Sequence, residues 1–96
     1  MFIVSLTYIA ETTEIDKHLA EHIDYLEKNY RSGTFLASGR KVPRTGGVIL
    51  AKTDSREALE SILREDPFSL FNLAKYDVTE FVASKSASNL TPLINA

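Results

Sequence analysis

The period of the hydrophobic pattern changes along this chain, and the order of those changes limits the fold. Between Phe2 and Ile9, the residues Phe2, Val4, Leu6 and Tyr8 alternate with Ile3, Ser5, Thr7 and Ile9, which is the two-residue period of a strand. The spacing then lengthens. Ile15, Leu19, His22, Leu26 and Asn29 or Tyr30 step by three and four with Ile23 beside them, the apolar stripe of an amphipathic helix. Thr12 or Thr13 suits the cap of this helix, Glu14 and Asp16 its first turn, and Gly33 its stop after about Tyr30.

Thr34–Gly39 reads as a second strand and Gly47–Thr53, dominated by Val48, Ile49 and Leu50, as a third. These strands are joined by a short loop carrying Arg40, Lys41, Pro43, Arg44, Thr45 and Gly46. A connection of that length serves antiparallel neighbours, because a parallel pair needs a longer crossover. Asp54 or Ser55 caps a second helix from Arg56 to about Glu65, with Ala58, Leu59, Ile62 and Leu63 facing inward. Asp66-Pro67 ends it, since the residue before proline avoids the helical region. Pro67 can open a fresh turn through Phe68, Leu70, Phe71 and Leu73. A last strand, Lys75–Ser84, alternates Tyr76, Val78, Glu80 and Val82 with Asp77, Thr79, Phe81 and Ala83.

The order β-α-β-β-α-β is the split pattern of ferredoxin-like α+β folds, an antiparallel four-stranded sheet with helices on one face. It occupies residues 1–84 as a single domain, and Lys85–Ala96, rich in Ser and Asn, reads as a tail. The other sheet face would expose Ile3, Ile9, Phe81, Ala83 and either Val48 with Leu50 or Ile49 with Ala51. An apolar open face on so small a domain predicts a two-fold homodimer packed sheet on sheet.

Composition narrows the function classes. A chain of 96 residues with a net charge of −2 lacks the basic surface of a dedicated nucleic-acid binder. Without cysteine there is no disulfide framework, zinc ribbon or cysteine nucleophile. No segment approaches the roughly 20 apolar residues that span a bilayer. The N-terminal stretch has no basic region or cleavage site, so a cytoplasmic location without membrane attachment is expected. The chain has no Walker loop, dinucleotide fingerprint or Ser-His-Asp nucleophile motif.

The two histidines, His18 and His22, lie four apart on one helix. That spacing can bring two imidazoles to a metal, but Leu19 stands where a zinc hydrolase needs Glu and no third ligand is evident, so no metal site is expected. His18 reads as a solvated helix residue. His22 falls on the apolar stripe, as either a core histidine donating to a carbonyl or a base oriented by an acidic partner. Asp66 is the candidate partner, though an Asp before Pro can equally serve its own turn. Ser38-Gly39 ends the second strand, where glycine permits close backbone approach. Arg40, Lys41 and Arg44 are either solvated or available to an anionic ligand, and the latter would suit a non-catalytic dimer that binds a small anionic metabolite.

In order along the chain, His22-Ile23-Asp24-Tyr25-Leu26, Gly33, Phe35-Leu36-Ala37-Ser38-Gly39, Thr45-Gly46-Gly47-Val48-Ile49-Leu50, Asp66-Pro67-Phe68 and Tyr76-Asp77-Val78-Thr79-Glu80-Phe81 resemble the YCII-related family. The resemblance runs from Phe2 to about Ser84. It implies a dimeric α+β barrel and a His-Asp active site that falls on His22 and Asp66, with Ser38 and Gly39 at the pocket edge. Relatives often carry proline after that glycine, whereas this chain has Arg40. Most members lack an assigned reaction, and at least one is implicated in dehydrochlorination of a chlorinated aromatic. The implied chemistry is cofactor-independent acid–base catalysis on a small molecule, of isomerase or lyase type.

Overall fold

The computed structural model describes residues 1–96. In chain order it contains β1 (Phe2–Tyr8), α1 (Thr12–Lys17), α2 (Leu19–Arg31), β2 (Phe35–Arg40), β3 (Gly46–Ala51), α3 (Arg56–Leu63), α4 (Pro67–Leu70) and β4 (Ala74–Glu80), with a 3-10 turn at Ser88–Leu93. The strands form one four-stranded antiparallel sheet in the order β2-β3-β1-β4. This is the ferredoxin-like α+β arrangement. No helix is long and apolar enough to cross a membrane.

Alternation decides which side of the sheet meets the helices. On β1, Phe2, Val4 and Leu6 are buried, whereas Ile3 and Thr7 are exposed. Their cross-strand partners follow suit: Val4 opposes Ile49 and Phe2 opposes Ala51, all four in the core. Ile15, Tyr25, Leu59, Leu63 and Phe68 pack onto this face from the helices. Ile3 and Val48 lie on the other face, each 39% exposed, so the open face pairs β1 and β3 through Ile3, Val48 and the half-buried Leu50.

A bulge in β2 changes the parity of that strand. Phe35 opposes Ala51 and Ala37 opposes Leu50, leaving Leu36 as the extra residue. An unbroken strand would put Ser38 on the face opposite Phe35. The bulge instead sets Ser38 against the core residue Ile49 and Arg40 against Gly47, turning both toward the helices.

Several expectations need correction. The first helix is two helices, broken at His18, whose backbone (φ −110°, ψ 7°) leaves the helical region. Glu11, not Thr12 or Thr13, occupies its N-cap position. Tyr25, absent from the expected stripe, is buried on α2 with Asn29, and Ile23, expected beside the stripe, is 46% exposed. Ala58 is exposed on α3, which buries Leu59 and Leu63 instead. The last strand stops at Glu80, so Phe81 and Val82 lie beyond it. The final segment also makes internal contacts: the Met1 ammonium donates to the Ala96 carbonyl at 2.9 Å, and the Asn95 N–H donates to the Ala83 carbonyl at 2.9 Å.

Candidate active site

Asp66 closes one helix and opens the next. Its N–H donates to the Leu63 carbonyl at the end of α3, and its extended backbone (ψ 129°) places Pro67 at the first position of α4. There its carboxylate caps α4, with Oδ1 accepting from the Phe68 N–H at 3.0 Å. The turn function expected of an Asp-Pro pair is therefore present, and it does not exhaust the carboxylate. Asp66 is fully buried, so its remaining lone pairs must find donors inside the protein.

Two side chains supply them. His22 Nδ1 lies 2.8 Å from Oδ1, and the Tyr76 hydroxyl donates to Oδ2 at 2.5 Å. The His22 ring lies parallel to Phe68, 6° between planes and 4.0 Å between centroids. Stacking and the Nδ1 bond together fix the imidazole plane. The proton on Nδ1 makes Nε2 the basic nitrogen of the neutral ring. Nε2 makes no hydrogen bond within the protein and is not sealed from solvent.

The ring forms part of the wall of a cleft of about 170 Å³ between the helices and the end of the sheet. Leu6, Tyr8, Leu19, Ile23, Leu26 and Phe68 give it apolar walls, while Ser38, Gly39, Arg40, Gly46 and Gly47 come from the two bulged or glycine-rich strand ends. A Cβ at Gly46 would collide with the Leu6 carbonyl of β1, so a larger residue there requires the backbone to shift. The close approach of β3 to β1 at this point shapes the floor of the cleft.

All five residues singled out in the sequence thus meet here: His22 and Asp66 are bonded, and Ser38, Gly39 and Arg40 line the same cleft as the imidazole. The Ser38 hydroxyl is engaged by the Tyr30 hydroxyl. The three loop cations part ways. Arg44 pairs with Asp16 at 2.5 Å and its guanidinium lies 5.9 Å from the Tyr8 ring centroid, while Lys41 donates to Thr7 at 3.2 Å. Only Arg40 lines the cleft, and it makes no ion pair or side-chain hydrogen bond. His18 is not the solvated residue expected from its spacing, since its side chain is 22% exposed and its ring stacks on Phe71 at 4.2 Å. The two imidazoles consequently face different partners.

Tyr76 joins the site without any motif in the sequence to mark it. It lies on the core face of β4, two residues from buried Ala74, and opposes Leu6 across the ladder. A tyrosine on a core face must bring its hydroxyl to a partner, and that requirement was the available signal. Tyr25 meets the same requirement by donating to the Ile62 carbonyl at 2.8 Å. Burial and the neighbouring Asp66 charge push the phenol pKa of both tyrosines far above the ordinary value, so both remain donors.

The fold is similar to that of 5-chloro-2-hydroxyhydroquinone dehydrochlorinase from Burkholderia phenoliruptrix, solved in complex with 2,5-dihydroxybenzoquinone. The TM-score is 0.73 over 92% of this chain and 96% of that one, at 17% sequence identity. No curated protein matches the sequence. The YCII-related domain, by contrast, matches residues 1–82, nearly the whole of the sheet and its helices. The chain belongs to the YCII-related family.

Proposed function

We propose that this protein is a small-molecule enzyme in which His22 acts as a general base, oriented by Asp66, in a reaction that needs no cofactor. One observation carries the reading: the imidazole has its Nδ1 tied to a fully buried carboxylate while its Nε2 stays open beside a cleft. Geometry of that kind fixes tautomer and direction together. Nε2 takes a proton from the substrate, and the imidazolium that forms faces the Asp66 charge. The electron pair left behind either returns to a proton at another atom, an isomerisation, or expels a leaving group from a neighbouring carbon, an elimination.

Arg40 is the unpaired cation of the cleft and would hold an acidic group of the substrate, with the apolar walls accepting a ring. Such a site suits a small, acidic, hydroxylated or enolisable ring compound. The dehydrochlorinase of similar fold acts on a compound of this description, which supports elimination of chloride as the first reaction to test. Chloride release from 5-chloro-2-hydroxyhydroquinone, compared between the wild-type protein and His22→Ala, is the experiment. Catalysis lost on substitution supports the base, and equal rates refute it. A non-catalytic anion-binding module would instead retain binding through Arg40 and show no turnover in either form.

A further inference from the structure

Tyr76 does not line the His22 cleft, yet it is bonded to the group that orients the histidine. Its hydroxyl lies 2.5 Å from Asp66 Oδ2, and its ring borders a second cleft, of about 330 Å³, with Arg56, Arg64 and Asp77. The three side chains form one chain of contacts: His22 Nδ1 to Asp66 Oδ1, then Asp66 Oδ2 to Tyr76. Oδ1 has two donors, from His22 and the Phe68 N–H, whereas Tyr76 is the protein donor to Oδ2.

We propose that Tyr76 is a positioning residue that holds the Asp66 carboxylate in its ionised form and in one rotamer, and thereby sets the basicity of His22. The inference rests on the reading of His22 as a base, but its physical content is separable from turnover. A hydroxyl donating to a buried carboxylate spreads part of its negative charge, which lowers the pull of that carboxylate on the proton at Nδ1. The proton therefore stays on the imidazole, the correct tautomer persists, and the imidazolium is less strongly stabilised than by a bare carboxylate. Without Tyr76, Oδ2 would be buried with no protein donor, and the carboxylate would hold the imidazolium more tightly.

The other groups around the ring are few. Tyr25 faces it from α2, Asp66 and Phe68 from the start of α4, and Tyr8 of β1 and Arg40 of β2 share its cleft. Of these, Asp66 is the group bonded to the imidazole, and the Tyr76 hydroxyl is bonded to Asp66.

The test is the titration of both histidines in full-length protein labelled with 15N-histidine, followed through the ring nitrogens. Tyr76→Phe, which keeps the ring and removes the donor, is expected to move the His22 midpoint upward by about half a pH unit. His18, stacked on Phe71 in another part of the fold, serves as the internal control and should not move. An unchanged or lowered His22 midpoint overturns the proposal. Should Tyr76→Phe fail to fold, site-specific 3-fluorotyrosine at position 76 retains the shape and strengthens the donor. The midpoint then falls, and a rise or no change refutes the role. These readouts need no substrate, so they stand or fall independently of whether His22→Ala abolishes catalysis. Where turnover is followed, Tyr76→Phe lowers kcat with little change in KM and moves the acidic limb of the pH–rate profile to higher pH.

Discussion

Tyr76 and His22 bind different oxygens of one buried carboxylate, the Tyr76 hydroxyl at Oδ2 and the His22 Nδ1 at Oδ1 of Asp66. The three residues come from β4, α2 and the start of α4, so the arrangement exists only in the folded chain. Two of its members serve the fold as well. Asp66 caps a helix and Tyr76 stands in a ladder with β1, which ties the orientation of the imidazole to the packing of the domain.

The carboxylate therefore has a structural role that substitution exposes. Asp66→Ala removes the cap of α4 and leaves the Phe68 N–H, the Tyr76 hydroxyl and His22 Nδ1 without their acceptor. Urea denaturation should show a loss of about 3 kcal/mol or more. Asp66→Asn keeps one oxygen but turns an amide toward a former donor, and should cost about 1–2 kcal/mol.

Alkaline pH should unfold the protein through its tyrosines. Burial, then the charge on Asp66, raises the phenol pKa of Tyr25 and Tyr76 in the folded state above the unfolded value of about 10. The folded state thus holds protons that the unfolded state releases. That stability is complete below about pH 10 and declines as pH rises further toward the folded-state values. Absorbance at alkaline pH should show two of the four tyrosines, Tyr25 and Tyr76, ionising only on unfolding. Early ionisation of all four would contradict this.

Gly46 and Gly47 should differ in their tolerance of alanine. A Cβ at Gly46 collides with the Leu6 carbonyl of the neighbouring strand, where only movement of backbone gives relief, whereas a Cβ at Gly47 lies 3.1 Å from the Gly39 carbonyl. Gly46→Ala is expected to destabilise by about 3 kcal/mol or more and Gly47→Ala by about 1 kcal/mol. Equal denaturation midpoints for the two variants would argue against the close β1–β3 approach.

Arg40 and Arg44 should separate in ligand binding. Arg40 lines the cleft without a partner, while Asp16 holds Arg44 and raises its pKa through their hydrogen bond. With 2,5-dihydroxybenzoquinone as the ligand and its absorbance as the signal, Arg40→Gln should weaken binding about tenfold. Arg44→Gln should change it little.

Much of the fold was legible because period and punctuation agreed. The alternation of Phe2–Ile9, the spacing from Ile15 onward and the Asp66-Pro67 stop each mark an element without tertiary information. The helix break at His18 was not legible, because Lys17, His18 and Leu19 carry no glycine or proline; the break accompanies stacking of His18 on Phe71, a contact 53 residues away in sequence that periodicity cannot register. The bulge at Leu36 was hidden for a similar reason, since register belongs to a pair of strands and not to one. At the site, His22 stood out as a titratable ring on an apolar stripe and Asp66 as a carboxylate before proline. Tyr76 did not, because a tyrosine at a core position of a strand reads first as packing.

The most direct test of the dyad compares chloride release from 5-chloro-2-hydroxyhydroquinone by the wild-type protein, His22→Ala and Asp66→Asn, with each variant shown to be folded by circular dichroism. The wild-type protein is predicted to release chloride, with kcat/KM falling about 10²–10⁴-fold in His22→Ala and substantially in Asp66→Asn. Chloride release at the wild-type rate in both folded variants would contradict the assignment of His22 and Asp66.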